Sequence, residues 1–151
     1  GVPNSGSQLV NGVPNTLYDD DLATLSGGAV YDTQARNQLG ASFIDFVDMP
    51  GVTDPDQTAE WTVDVPTAGN YNVAILYALA IASGARPMEL FVNGVSQGML
   101  PFVGQGANFA EWFPESFVAA LNAGTNTIAV TAPAGVGPNV DFLRIEDAPV
   151  P

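Results

Sequence analysis

The sequence predicts an all-β protein: a β-sandwich of jelly-roll type with about nine or ten short antiparallel strands. Three observations predict it. Apolar and polar residues alternate in several runs, turn residues recur about every 8–12 positions, and almost no segment carries helical periodicity. The 151 residues suit one domain with a full core, and an apolar share of 46% argues against disorder.

The elements follow in chain order. Residues 1–16 are rich in Gly, Pro, Asn and Ser, with Gly-Val-Pro-Asn at Gly1 and again at Gly12, and read as a linker or N-terminal arm. The module spans 17–147, and 148–151 begin a C-terminal linker. Early strands are expected over Tyr18 to Leu22, Ala29 to Asp32 and Ser42 to Val47. Residues 60–65, Glu-Trp-Thr-Val-Asp-Val, alternate with Trp61, Val63 and Val65 on one face, which makes Trp61 core. After the Pro66-to-Gly69 turn, Tyr71, Val73, Ile75 and Tyr77 alternate again with apolar residues opposite them, the mark of a central strand. Ala74 to Ala85 is rich in Ala, Leu and Ile, so helix competes there by propensity. Asn93-Gly94 joins Glu89–Val92 to Val95–Leu100 as a hairpin, since both turn residues need positive φ. Phe117 to Leu121, Thr125 to Val130 and Val140 to Glu146 complete the set. In the last, Val140, Phe142 and Arg144 share one face and Asp141, Leu143 and Ile145 the other.

Charge narrows the function. Sixteen acidic residues stand against three arginines (Arg36, Arg86, Arg144) and no lysine, for a formal net charge of −13. No basic stripe can be built for nucleic acid or for an anionic membrane surface. Cysteine and histidine are absent, which removes disulfides, thiolate chemistry, and the commonest general base and transition-metal ligand. No apolar run reaches membrane-spanning length.

Asp19 and Asp21, two apart on an expected strand, put two carboxylates on one face. Either a cation sits between them or they form a solvated acidic turn. Asp54 and Asp56, flanking Pro55, offer a second cation site or ordinary turn chemistry.

The ordered set of motifs resembles carbohydrate-binding module family 6 and its close relative family 35, within the galactose-binding-like sandwiches. Asp19 through Gly28 is similar to the family's opening acidic-x-acidic strand and Ser-Gly-Gly turn. Gly40-Ala41-Ser42-Phe43-Ile44-Asp45-Phe46 is similar to its Gly-x-Gly-Phe-Val-Asp-Phe strand. Glu60-Trp61-Thr62-Val63 with Pro66, Ala68, Gly69 and Tyr71 follows, then Tyr77-Ala78, Arg86-Pro87, Val92-Asn93-Gly94, Trp112, Leu121 to Ile128 and Asn139-Val140-Asp141-Phe142. The match runs from about Tyr18 to about Glu146.

The resemblance implies a β-sandwich that binds glycans at loops on one end, secreted or extracellular, monomeric, and linked covalently to a glycoside hydrolase or polysaccharide lyase. It also implies a structural Ca2+ held by Asp19 and Asp21 with Asp141 from the last strand. Family members carry glutamate at the first two positions. For the sugar it implies Asn139 and an aromatic platform at Phe109, with Trp112 as its structural neighbour and Arg86 in structural pairing. A second family aromatic is replaced near Gln38, beside Arg36, so polar groups stand where a ring would. Trp112 or Phe113, or the concave face of a sheet, are alternative seats for the ligand.

The expected function is non-catalytic binding of a polysaccharide to target an appended enzyme, with a neutral β-glycan such as glucan, xylan or an agar-type chain favoured, because a negative surface disfavours anionic chains. A calcium-stabilised structural or adhesive spacer is the alternative. Catalysis by the carboxylate pair Glu111 and Glu115 is a third reading.

Overall fold

In a computed structural model, the residues described are 7–10, 13–46, 57–132, 136–146 and 149–150. Among them, two antiparallel sheets face each other. The strands are β1 (Ser7–Val10), β2 (Val13–Asp19), β3 (Thr24–Ser26), β4 (Val30–Asp32), β5 (Phe43–Asp45), β6 (Gln57–Val65), β7 (Gly69–Ala78), β8 (Met88–Val92), β9 (Val95–Leu100), β10 (Phe113–Leu121), β11 (Gly124–Ala132) and β12 (Asn139–Glu146). The seven-stranded sheet runs β1-β2-β12-β5-β4, with β7 joining β12 to β10; the five-stranded sheet runs β3-β6-β11-β8-β9. The two strands beyond the expected ten are the short edge strands β1 and β3, which carry no long alternating run.

Alternation sets the core. On β6, Gln57, Ala59, Trp61, Val63 and Val65 are buried while Glu60, Thr62 and Asp64 face water. Trp61 is 0% exposed and packs with Tyr71, Ile75, Tyr77, Met88, Ile128 and Leu143 between the sheets. Asn93 and Gly94 adopt φ of 50° and 79°, and Val92 pairs with Val95 across them, the expected two-residue hairpin. The segment 74–85 is strand through Ala78, then a single 3-10 turn at Ile81–Ser83. Pairing of β7 with both β10 and β12 outweighs its helical propensity.

Four expectations change. The strand expected over Tyr18 to Leu22 stops at Asp19, and Asp20–Leu22 forms a 3-10 turn whose first N–H is taken by the Asp19 side chain. Asp19 and Asp21 therefore do not share a strand face. On β12 the pairing with β7 slips between Val140 and Phe142, so Asp141 is an extra, bulged residue. Val140 consequently turns inward with Asp141, Leu143 and Ile145, leaving Phe142 and Arg144 on the outer side. Ser7–Val10 and Val13–Asp19 pair as an edge hairpin, so part of the stretch expected as an arm belongs to the sheet. At the other end, the Val150 N–H donates to Asn70 O at 2.6 Å. Val47, Asp54 and Asp56 lie outside the described residues. Among the described residues, no helix is long and apolar enough to cross a membrane.

Candidate functional site

Four connections meet at one end of the sandwich: 33–42 between β4 and β5, 79–87 between β7 and β8, 101–112 between β9 and β10, and 136–138 leading into β12. They are laced by backbone bonds. Ile81 N–H donates to Gly106 O (2.8 Å), Gly104 N–H to Gly84 O (2.7 Å) and Arg86 N–H to Phe102 O (3.1 Å). The Tyr77 hydroxyl donates to Val103 O at 2.6 Å. Gly104 has no room for a side chain, because a Cβ there would lie 2.3 Å from Ala80 O.

The expected sugar residues converge here in different states. Trp112 is half-buried; its indole Nε1 donates to Arg36 O at 2.8 Å and its ring centroid lies 5.9 Å from that of Phe43. Phe109 is half-buried against the core, and the Arg86 guanidinium stands 5.6 Å above its ring centroid, within cation–π range. Arg86 also donates from Nη1 to Gly137 O at 3.2 Å, two residues before Asn139. Gln38 is engaged in its own loop: its Oε1 accepts from Arg36 N–H at 2.7 Å and its Nε2 donates to Gln34 O at 3.0 Å. Arg36 donates from Nη2 to Gln34 Oε1 at 2.8 Å.

Asn139 is different. It is 9% exposed at the start of β12, and its side-chain amide has no hydrogen-bond partner among the described residues. Neither of its amide atoms is among the buried unpartnered ones, so the amide reaches the surface at the loop end. Two residues that motif reading passed over stand nearby. Asp45 is half-buried, and its carboxyl is held above its ordinary range, first by burial and then by the neighbouring Asp32; Arg36 and Arg86 pull it back down. A pair of acids flanked by two of the chain's three arginines can both donate and accept toward hydroxyls. Strand pairing of Asp32 with Phe43 makes this grouping, and no sequence spacing announces it.

The acids Glu111 and Glu115 are used structurally. Glu111 Oε1 accepts from Ala107 N–H at 3.2 Å and Glu115 Oε1 from Phe102 N–H at 2.9 Å.

Under the loops lies an acidic cluster. Carboxylate oxygens of Asp19, Asp20 and Asp21 fall within 4.8 Å of one another. Asp19, Asp20 and Asp141 are at most 1% exposed, whereas Asp21 is exposed. The 3-10 turn makes this exchange: it buries Asp20, and Asp21 stays at the rim. Asp19 Oδ2 and Asp141 Oδ1 are buried and accept no hydrogen bond. Their other oxygens are used, Asp19 Oδ1 by Asp20 N–H at 3.0 Å and Asp141 Oδ2 by Leu39 N–H at 2.8 Å. Burial pushes the Asp19 carboxyl up to about 7, with Asp20's charge adding to it and the Asp20 N–H opposing. Burial likewise pushes Asp141 up to about 6; the Leu39 N–H opposes and Asp20's charge adds. Carboxylates that repel in a dry site, with oxygens left over, fit a hard cation with oxygen ligands.

A separate shallow depression of about 180 Å³ lies on the outer face of the seven-stranded sheet, lined by Asn72, Val73, Ala74, Ser116, Arg144 and Glu146.

No family model matches the sequence. Among curated proteins, the chain is 31% identical over 128 residues to a 1,6-alpha-glucosyltransferase of Sporosarcina globispora, covering 85% of this chain and 10% of that protein. It is 34% identical over 129 residues to an exo-beta-D-glucosaminidase of Amycolatopsis orientalis, covering 85% of this chain and 12% of that protein. The chain thus spans about a tenth of these relatives, and what it shares with them is an appended, non-catalytic module. Among solved structures, it is similar to a family 35 carbohydrate-binding module from Clostridium thermocellum, with a TM-score of 0.79 and 29% identity over 89% of this chain and 98% of that one. By these likenesses and its two-sheet fold, the chain belongs to the galactose-binding-like superfamily that includes the family 35 carbohydrate-binding modules.

Proposed function

We propose that this module holds a neutral polysaccharide at its loop end and thereby keeps an attached carbohydrate-active enzyme on its substrate outside the cell. One observation carries the reading: the side-chain amide of Asn139, a residue only 9% exposed, makes no hydrogen bond among the described residues and is left at the surface of a loop end that also holds Arg86, Phe109, Arg36 and Asp45. An amide offers two donors and an acceptor, the complement of adjacent sugar hydroxyls. The −13 charge supports a neutral chain over a uronate or sulfated one. A β-glycan such as glucan, xylan or an agar-type chain is the first candidate. The relatives' names span α-glucosyl, β-glucosaminide and β-mannan chemistry, so an α-1,6-glucan and a mannan join the test.

We further propose a structural Ca2+ bound by Asp19, Asp20 and Asp141, with Asp21 at its rim, and a monomeric module. A calcium-stiffened spacer is the competing reading.

The test is retention of the module on insoluble glycans, with calorimetric titration against soluble neutral and anionic chains. Retention of a neutral chain that is lost in Asn139→Ala, at unchanged melting temperature, supports the proposal. Failure to retain any chain favours the spacer. Retention that survives Asn139→Ala but is lost in Arg144→Ala moves the site to the sheet-face depression.

A further inference from the structure

We propose that Asp141 and Ser42 are positioning residues for the sugar-binding loop, so that filling the cation cluster and ordering the glycan site are one linked event. This rests on the loop-end reading above. The loop 33–42 is tied at both ends of a short segment. On its inner side, Leu39 N–H donates to Asp141 Oδ2 at 2.8 Å and the Ser42 hydroxyl donates to Asp20 Oδ2 at 2.6 Å. On its outer side, Arg36 O accepts from the Trp112 indole at 2.8 Å, and Asn37 Nδ2 donates to Ala110 O at 3.2 Å. Arg36 and Leu39 are three residues apart, roughly 10 Å of chain at most. Within the loop, Asn37 and Gly40 hold φ of 60° and 72°, a conformation that needs outside support at a non-glycine residue.

The linkage runs through a rigid group. A carboxylate is planar, so fixing the direction of Asp141 Oδ1, which is buried and accepts no hydrogen bond, fixes Oδ2 and the Leu39 N–H with it. Without a cation the buried carboxylates repel, and both inner ties slacken. With a cation they take one arrangement, and the loop that carries Arg36 and Gln38 and buttresses Trp112 takes one with them. Thermodynamic linkage makes the effect reciprocal: a bound glycan tightens the cation by the factor with which the cation tightens the glycan.

The test needs no sugar. The chain has two tryptophans, hence two indole N–H resonances in a 15N-labelled sample. Trp61 Nε1 donates to Asp19 O at 3.1 Å and reports the cluster; Trp112 Nε1 reports the loop. Calcium alone, added to metal-free module, is expected to shift both resonances and to slow exchange of the Leu39 amide by about tenfold. In Ser42→Ala the Trp61 response stays and the Trp112 response shrinks. A Trp61 response with Trp112 and the Arg36-to-Leu39 amides silent in the unmutated module overturns the linkage and leaves both the cation site and the glycan reading standing. Silence of both indoles overturns it as well, because no cation then seats at the cluster; glycan retention in metal-free buffer still decides the sugar reading on its own.

Discussion

The indole N–H of Trp61 donates to the backbone carbonyl of Asp19 at 3.1 Å, across 42 residues of sequence. The largest side chain of the core thus holds the peptide from which the acidic cluster grows. This pins β6 of one sheet to the end of β2 of the other. Core packing thus presets the backbone at Asp19, and with it the place where the proposed cation would bind.

Calcium should stabilise the module measurably. At free calcium 100-fold above its dissociation constant, the gain is about 2.7 kcal/mol, which for a domain of this size is roughly 5–10 °C in melting temperature. Melting curves in calcium and in chelator check this. Equal curves would remove the cation from the account of this fold.

Asp141→Asn should act with opposite signs in the two conditions. In chelator it removes a buried charge that the Leu39 N–H only partly compensates, so the melting temperature holds or rises. In calcium it removes a charged ligand, so the melting temperature falls by several degrees, on the order of 1–3 kcal/mol. Asp21→Asn, at the exposed rim, should change little in either. Identical responses of the two variants would show that burial does not decide which acids bind.

The pH dependence should reverse with the metal. Asp19 rises from an ordinary value of 3.8 to about 7 and Asp141 to about 6. In the metal-free fold they hold protons that the unfolded chain has released. Stability in chelator is therefore greatest near pH 4 on this account and is lost as pH climbs through 6 to 7. With calcium, protons and cation compete, so stability grows over the same window. Two sets of thermal melts between pH 4.5 and 8 read this directly; parallel slopes would contradict it.

Much of this was legible beforehand. Alternation at Trp61, Val63 and Val65, the Asn93-Gly94 turn and the Tyr71-to-Tyr77 run each fixed a strand correctly, because period-2 burial is a local property. The cluster was only half legible. Three consecutive aspartates look alike in sequence, and which two are buried depends on a 3-10 turn that starts when Asp19 caps its own neighbour. The inward face of Asp141 follows from its alternation with Leu143 and Ile145, but the burial of Val140 beside it comes from a bulge, a mismatch between two strands that neither sequence segment encodes alone. Arg86 over Phe109 was invisible for the same reason: the partners come from different loops.

Gly104→Ala should loosen the loop end as a whole. A Cβ would meet Ala80 O at 2.3 Å and Gly84 O at 2.8 Å, both backbone atoms that cannot rotate away. The Gly104-to-Gly84 and Gln105-to-Leu79 bonds are then lost together. A loss of about 2–4 kcal/mol is expected, with faster amide exchange confined to 79–87 and 101–112. Unchanged stability would mean that the two loops are not packed as described.

Phe109→Ala and Asn139→Ala should separate structure from recognition. Phe109 packs against the core and under Arg86, so its truncation is expected to lower stability by about 1–3 kcal/mol and to weaken glycan binding as Arg86 loses its support. Among the described residues no side-chain hydrogen bond of Asn139 is found, and its amide atoms are not buried, so replacing it leaves no partner stranded and stability stays within about 0.5 kcal/mol. Binding should nonetheless drop about 10- to 100-fold, the worth of one or two hydrogen bonds to sugar hydroxyls. Paired melts and titrations of the two variants decide the matter. If Asn139→Ala destabilises the fold while sparing the glycan, Asn139 is a structural residue, and the recognition surface has to be sought around Arg36, Asp45 and Arg86 instead.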